Sequence, residues 1–209
     1  PTPAARSLND IFEGTPANFE LVSGENIKGF KIFVNSVSVA KNEFSKVNLV
    51  ENVNDALVPI SFLDMFDLDL ANYPADLRDN VMDPVLMVYG QSEVFGQNGE
   101  IDLETKPANK TAFVIKIKDK IAVEAIMKNW ELTIASDLAD YLLIADTSKE
   151  ASVNFLDNTY GGIAIKYKNF PFADVTVDYS LIDSDGQSYL IISGSREAMY
   201  SAIDTILAP

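Results

Sequence analysis

The chain predicts an α+β fold: a mostly antiparallel sheet with helices packed on one face. Three observations carry this. Strand-like runs separated by turn residues fill 152–193, a long apolar stripe at helical spacing occupies 120–143, and a capped helix closes the chain. The strand–helix–strand order of 19–52 recurs loosely in 112–156, which would give two similar lobes within one compact unit.

The elements follow in order. Residues 1–16 read as a linker or tether, because Pro1 and Pro3 hold the backbone extended and donate no amide. Within it Leu8, Ile11 and Phe12 form a small apolar hook. Residues 17–95 make a first α+β half. Phe19-Glu20-Leu21-Val22 alternates as a short strand, and Ile27, Phe30, Val34 and Val37 recur at helical spacing, predicting a helix from about 26 to 40. Gly29 and the alternating Val37-Ser38-Val39 argue against its full length. Val47 and Leu49 continue as a strand. Pro59-Ile60-Ser61-Phe62 opens a short helix containing Leu63, Phe66 and Leu70, and a second helix covers about 75–82. It stops at Asp83-Pro84, since a residue before proline avoids helical geometry, and Pro84 to Tyr89 is a buried strand.

Gly96, Gly99, Pro107 and several asparagines make 96–110 a flexible joint. The second half, 111–209, opens with the strand Phe113 to Ile117. Val123, Ile126, Met127, Trp130, Ile134, Leu138 and Leu142 then place one apolar stripe along a helix over 120–143. Strands are expected at 152–156, 163–168, 174–182 and 188–193, with turns at Pro171 and at Asp183-Ser184-Asp185-Gly186. A last helix spans about 195–207, capped by Ser195, with Glu197 at the positive end of its dipole and Met199, Ile203 and Ile206 facing the core.

Composition excludes whole classes of chemistry. The 209 residues contain no histidine and no cysteine. That removes Ser-His-Asp and Cys-His catalysis, His- or Cys-ligated metals, thiol redox chemistry and disulfides. Carboxylates, lysines, hydroxyls and hard cations remain. Apolar residues make up 47% of the chain, enough for a folded core. The net charge of −15 repels phosphate backbones and anionic membranes, so no nucleic-acid partner is expected. No run approaches the ~18 consecutive apolar residues of a membrane span.

The remaining candidates each have a plainer reading beside them. Asp183 and Asp185, with Gly186, resemble the start of a calcium loop, but position 194 is Gly194 where a bidentate acid belongs, and Asp-Gly between alternating strands is a hairpin signal. Asp76, Asp79 and Asp83 follow i, i+3, i+7 spacing, so one helix face could present them to Ca²⁺ or Mg²⁺, while a solvated face near Arg78 explains them as well. Ser38-Val39-Ala40-Lys41 matches Ser-x-x-Lys without the partner Lys-Thr-Gly. With 31 acids, a glycosidase-type pair has no residue to recommend it. Gly161-Gly162 lacks the Lys-Ser/Thr of a phosphate loop. Asn109-Lys110-Thr111 is a formal glycosylation sequon, and Trp130 reads as core with its indole N–H satisfied. No catalytic residue and no cofactor is assigned.

Phe113-Val114-Ile115-Lys116, then Ala125-Ile126-Met127-Lys128-Asn129-Trp130-Glu131 and Asp137-Leu138, resembles a family of membrane-anchored proteins of candidate-phyla bacteria (Patescibacteria). Phe155-Leu156-Asp157-Asn158, Gly162-Ile163-Ala164-Ile165, Tyr179-Ser180, Tyr189-Leu190-Ile191-Ile192 and Ser195-Arg196-Glu197-Ala198 extend the resemblance over roughly 55–207. It implies architecture: a cytoplasmic segment, one spanning helix, a proline-rich linker, then this domain outside the cell membrane. It carries over no catalytic residue. The expected function is therefore a non-enzymatic, extracytoplasmic, membrane-tethered binding or assembly domain. Its partner would be a protein or cell-envelope component, and it would meet the membrane only through an N-terminal anchor outside this chain. A carboxylate-based hydrolase or transferase, with or without a divalent cation, and a calcium-stabilised adhesion module are the alternatives.

Overall fold

A computed structural model describes residues 6–21, 29–70, 72–96, 100–149, 154–172 and 175–208. Residues 1–5 of the expected tether, Val22, Ile27, Gly99, and 152–153 and 174 of the expected strands lie outside the described residues. The elements are α1 (Leu8–Ile11), β1 (Ala17–Leu21), α2 (Phe30–Ser36), β2 (Phe44–Val53), β3 (Ala56–Ile60), α3 (Phe62–Asp69), α4 (Ala75–Asn80), β4 (Val81–Tyr89), β5 (Lys110–Ile117), α5 (Lys120–Trp130), α6 (Ile134–Asp137), β6 (Leu156–Tyr160), β7 (Ile163–Asn169), β8 (Thr176–Ser184), β9 (Gln187–Ser193) and α7 (Arg196–Leu207).

The fold is α+β, as the sequence predicts. A nine-stranded sheet runs β1-β2-β4-β5-β9-β8-β7-β6, with β3 also paired to β2. Among the strand pairs of the described residues β1 and β2 alone are parallel, and strands from both halves of the sequence join in this one sheet. The strand–helix–strand order does occur twice, but its return strands land differently. β2 lies directly beside β1, whereas β6 lies at the far edge of the sheet from β5 and reaches it only through β7, β8 and β9.

Alternation along the central strands builds two cores, because successive side chains point to opposite faces. Leu86, Val88, Phe113, Ile115, Leu190 and Ile192 face a large aromatic core under α2–α6. Val85, Met87, Val114, Tyr189 and Ile191 face a smaller one under α1 and α7. The one-face arrangement expected from sequence thus holds for α2–α6, and α7 with α1 adds a layer on the other side. Met199, Ile203 and Ile206 of α7 are buried there, contributing about 5–8 kcal/mol of apolar transfer between them.

Several boundaries differ from expectation for local reasons. Ser7 forms a capping box with Asp10, and Leu8 and Phe12 are buried, so the apolar hook expected within 1–16 packs into the domain. α2 starts only after Gly29, at φ +85°, and ends before extended Val37. Pro59 and Ile60 complete β3 instead of opening a helix, and Ser61 is the N-cap of α3, its hydroxyl accepting from Leu63 N–H. α4 ends at Asn80, and Val81 to Asp83 already pair with β5 across a bulge. The predicted helix over 120–143 is two pieces, α5 and α6, separated at 131–133. Its apolar stripe survives the break because Ile134 and Ala135 turn back onto the same core as Val123, Met127 and Trp130. The strand expected at 152–156 occupies 156–160.

Candidate functional site

β2 is the strand from which the most distinctive surface is built. Its residues Phe44 to Val47 pair with β4, and Leu49 to Val53 pair with β3, so its neighbour on that side changes at Asn48. β3 and β4 diverge there. The fork opens a pocket of about 220 Å³ lined by Asn9, Lys46, Asn48, Ser61, Pro59 and Pro84 among others. Lys46 Nζ donates to the Asn9 carbonyl at 3.4 Å and to its side-chain oxygen at 3.3 Å. No carboxylate lines this pocket, and its volume is below the ~300 Å³ at which small-molecule sites begin.

Beyond the fork, β2 and β3 continue as a hairpin. Asn54 (φ 53°) and Asp55 (φ 65°) form the two-residue left-handed turn that matches strand twist, and Asp55 N–H donates to Asn52 Oδ1. Cross-strand pairing puts Val53, Ala56 and Val58 on the face that carries Leu49 and Ile60 into the large core. At the hairpin the described residues cover that face only in part: Val53 is 44% exposed and Val58 42%, and Leu57 on the opposite face is 52% exposed. Aliphatic side chains thus stand on both faces of the tip, beside Glu51 and Asn52. Its outer edge is nonetheless blunted. Pro59 stands opposite Val50 at a non-hydrogen-bonded position, so the side of β3 that faces away from β2 lacks a donor there. The β6 edge has a similar guard, Thr159 N–H donating to Asn158 Oδ1 at 2.8 Å.

The sequence-derived cation candidates are dispersed. Asp76 and Asp79 are exposed on α4, but Asp83 sits on β4, so the expected common helix face is absent. Asp83 Oδ2 accepts from Leu8 N–H at 2.7 Å, holding the start of α1 to the sheet. Asp183 accepts from Lys120 Nζ and Ser188 Oγ, each at 2.6 Å. Asp185 faces Arg6 at 3.6 Å. Asp185 (φ 52°) and Gly186 (φ 71°) are the turn of the β8–β9 hairpin. Among the described residues no three carboxylates converge on a point.

The other motifs resolve into structure. Ser38 and Lys41 lie in the irregular segment after α2, without the helical turn that brings i and i+3 side chains together. Gly161 and Gly162 form the β6–β7 turn. The Asn109 side-chain amide donates to the Val34 and Val37 carbonyls at 2.8 and 2.9 Å, tying the end of the β4–β5 connection to α2. Trp130 Nε1–H donates to Asp137 Oδ2 at 2.9 Å, as expected for a core indole. Glu197 does more than face its helix dipole: its carboxylate accepts Ser92 N–H, Ser92 Oγ–H and Glu93 N–H. Arg78 spans Asp64 and Asp67, linking α4 to α3.

Hydrogen bonds and burial shift several titratable groups. Asp10, Asp102 and Asp183 are held below the usual carboxylate range, by Ser7, by Thr105 and by Lys120 respectively. A general acid needs the opposite displacement. Burial first, then neighbouring carboxylates, raises Tyr141 beside Asp69 and Tyr179 beside Glu131, which keeps both phenols neutral as hydrogen-bond donors. Among the described residues no helix is long and apolar enough to cross a membrane. Sequence reading missed β3, although Asn-Asp between two apolar runs is a usable turn signal. Comparison with protein-family models, with curated proteins and with solved structures finds no match.

Proposed function

We propose that this domain is a non-catalytic binding or assembly module, held outside the cell membrane by an N-terminal anchor and recognising a protein or cell-envelope component. The observation that carries the reading is the β2–β3 hairpin, which extends a core face past its helical cover and presents Val53, Leu57 and Val58 to solvent. The lining of the fork pocket and the depressed carboxylates support binding over carboxylate chemistry. The resemblance to candidate-phyla membrane-anchored proteins supports the tether.

The test is a photo-crosslinking side chain at position 57 of the full-length protein in its native cells, combined with fractionation and protease shaving. Membrane association, cleavage from outside and a discrete adduct abolished by Val53→Asp with Val58→Asp are the expected results. A soluble product protected from external protease overturns the tethered reading.

A further inference from the structure

α5 buries one face, and its opposite side carries aliphatic residues among charged and polar ones, uncovered by the described residues. Val123, Met127 and Trp130 point into the large core. On the reverse side Ile121, Ala125, Lys128 and Leu132 recur at spacings of four, three and four residues, the seam of a helix that pairs with another helix. Ile121 is 80% exposed and Leu132, one residue past the C-cap, 87% exposed. The two aliphatic side chains stand about 16 Å apart along the helix, with the small Ala125 between them. Single exposed aliphatics need no explanation, but one on α5 and one in the turn just past it, on the same side and uncovered by the described residues, do.

We infer that this face pairs antiparallel with the same face of a second copy of the chain about a two-fold axis. The inference rests on the assembly reading above and names its partner. Two-fold symmetry places Ile121 of each copy against Leu132 of the other, and Ala125 against the aliphatic stem of Lys128. The same operation selects the flanking charges. Glu124, four residues before Lys128, lies one turn from it on the same flank of the seam. Antiparallel pairing brings that flank of both copies together, so Glu124 of one copy meets Lys128 of the other, twice per dimer. A parallel pair would stack like residues instead and set Lys128 against Lys128. The seam is short, so the dimer is a weak one at the low end of interface size, strengthened when copies share a membrane surface.

Sedimentation velocity of the chain over micromolar to submillimolar concentrations tests this. A concentration-dependent dimer is expected, lost in Ile121→Asp with Leu132→Asp, whose exposed positions leave the melting transition in place. Lys128→Glu weakens the dimer about tenfold, and adding Glu124→Lys restores it to within about twofold. Because the chain has no cysteine, a mixture of Ala125→Cys and Lys128→Cys reports geometry directly: the mixed disulfide between these opposed positions forms faster than a disulfide of either with Leu103→Cys, which is exposed but off the seam. A chain that stays monomeric at the highest concentration, or a dimer indifferent to the double aspartate variant, overturns the inference. Hairpin crosslinks to another protein would survive that outcome. A soluble, protease-protected protein that still dimerises through α5 would instead refute only the tether.

Discussion

Replacing Gly90 with alanine probes the joint that fixes one end of the central sheet. Gly90 is buried just after β4, where the segment following α2 crosses it. A Cβ there would stand 2.1 Å from the Ala40 carbonyl oxygen and 2.9 Å from its carbon, both backbone atoms that cannot rotate away. The crossing is also pinned by Asn42 N–H donating to the Gly90 carbonyl at 2.7 Å and Gly90 N–H donating to the Glu43 carbonyl at 3.0 Å. Moving the segment to make room costs the ~1–3 kcal/mol of overpacking, and straining those two bonds adds about 1 kcal/mol. Gly90→Ala should therefore lose about 2–4 kcal/mol, a large share of the ~5–15 kcal/mol that holds a domain together. The control is Gly186→Ala, whose Cβ meets nothing within 4 Å but whose φ of +71° costs an alanine about 1 kcal/mol. Urea unfolding followed by the fluorescence of Trp130, the chain's one tryptophan, measures both. If Gly90→Ala costs no more than Gly186→Ala, the steric argument is wrong.

Three further outcomes are expected. Asp137→Ala leaves the buried indole N–H of Trp130 without its acceptor and costs about 1–3 kcal/mol, while Asp137→Asn, which keeps an oxygen, recovers most of that; equal losses in urea unfolding would deny the bond its role. Raised phenol pKa values mean that the unfolded chain releases its tyrosine protons first, so the contribution of these groups is intact below about pH 10 and falls as pH rises through the folded values. For Tyr73, pushed up to about 12 mainly by burial, the loss runs from about pH 10 to about 12, and Tyr141 and Tyr179 act in the same direction. Tyrosinate absorbance and far-UV circular dichroism should change together, and full ionisation of all 8 tyrosines with native secondary structure retained would contradict this. Finally, with Asp83 on β4 apart from Asp76 and Asp79 on α4, and with Asp183 and Asp185 already paired with Lys120 and Arg6, millimolar calcium should leave the melting temperature unchanged; an increase would revive the adhesion-module alternative.

Local signals in this chain were legible where one short stretch contains the whole cause. Ser195 caps α7, Asp185-Gly186 turns β8 into β9, and the stripe of Met199, Ile203 and Ile206 is the buried face of its helix. The acidic cluster was not legible in the same way. Asp83 leaves the helix because Pro84 and the pairing of β4 with β5 claim its backbone, a decision made across more than 30 residues of sequence. Trp130 was rightly read as core, yet its partner Asp137 lies across the break between α5 and α6 that periodicity alone does not register, since both pieces keep their apolar side on the same core.

The sequence by itself determined the class of chemistry and the class of fold. Lacking histidine and cysteine, the chain has no neutral-pH imidazole and no thiolate whatever its shape, and alternation with turn residues commits its second half to strands. Tertiary structure alone decided which strands became neighbours, and with them the exposed surfaces. β2 forks at Asn48 because β3 and β4 compete for the same edge, leaving aliphatic residues of the hairpin exposed, and Ile121 of α5 and Leu132 just past it face solvent because the sheet can bury only one side of a helix. Apolar content is fixed residue by residue, but whether an apolar residue is core or contact surface depends on which other element arrives to cover it.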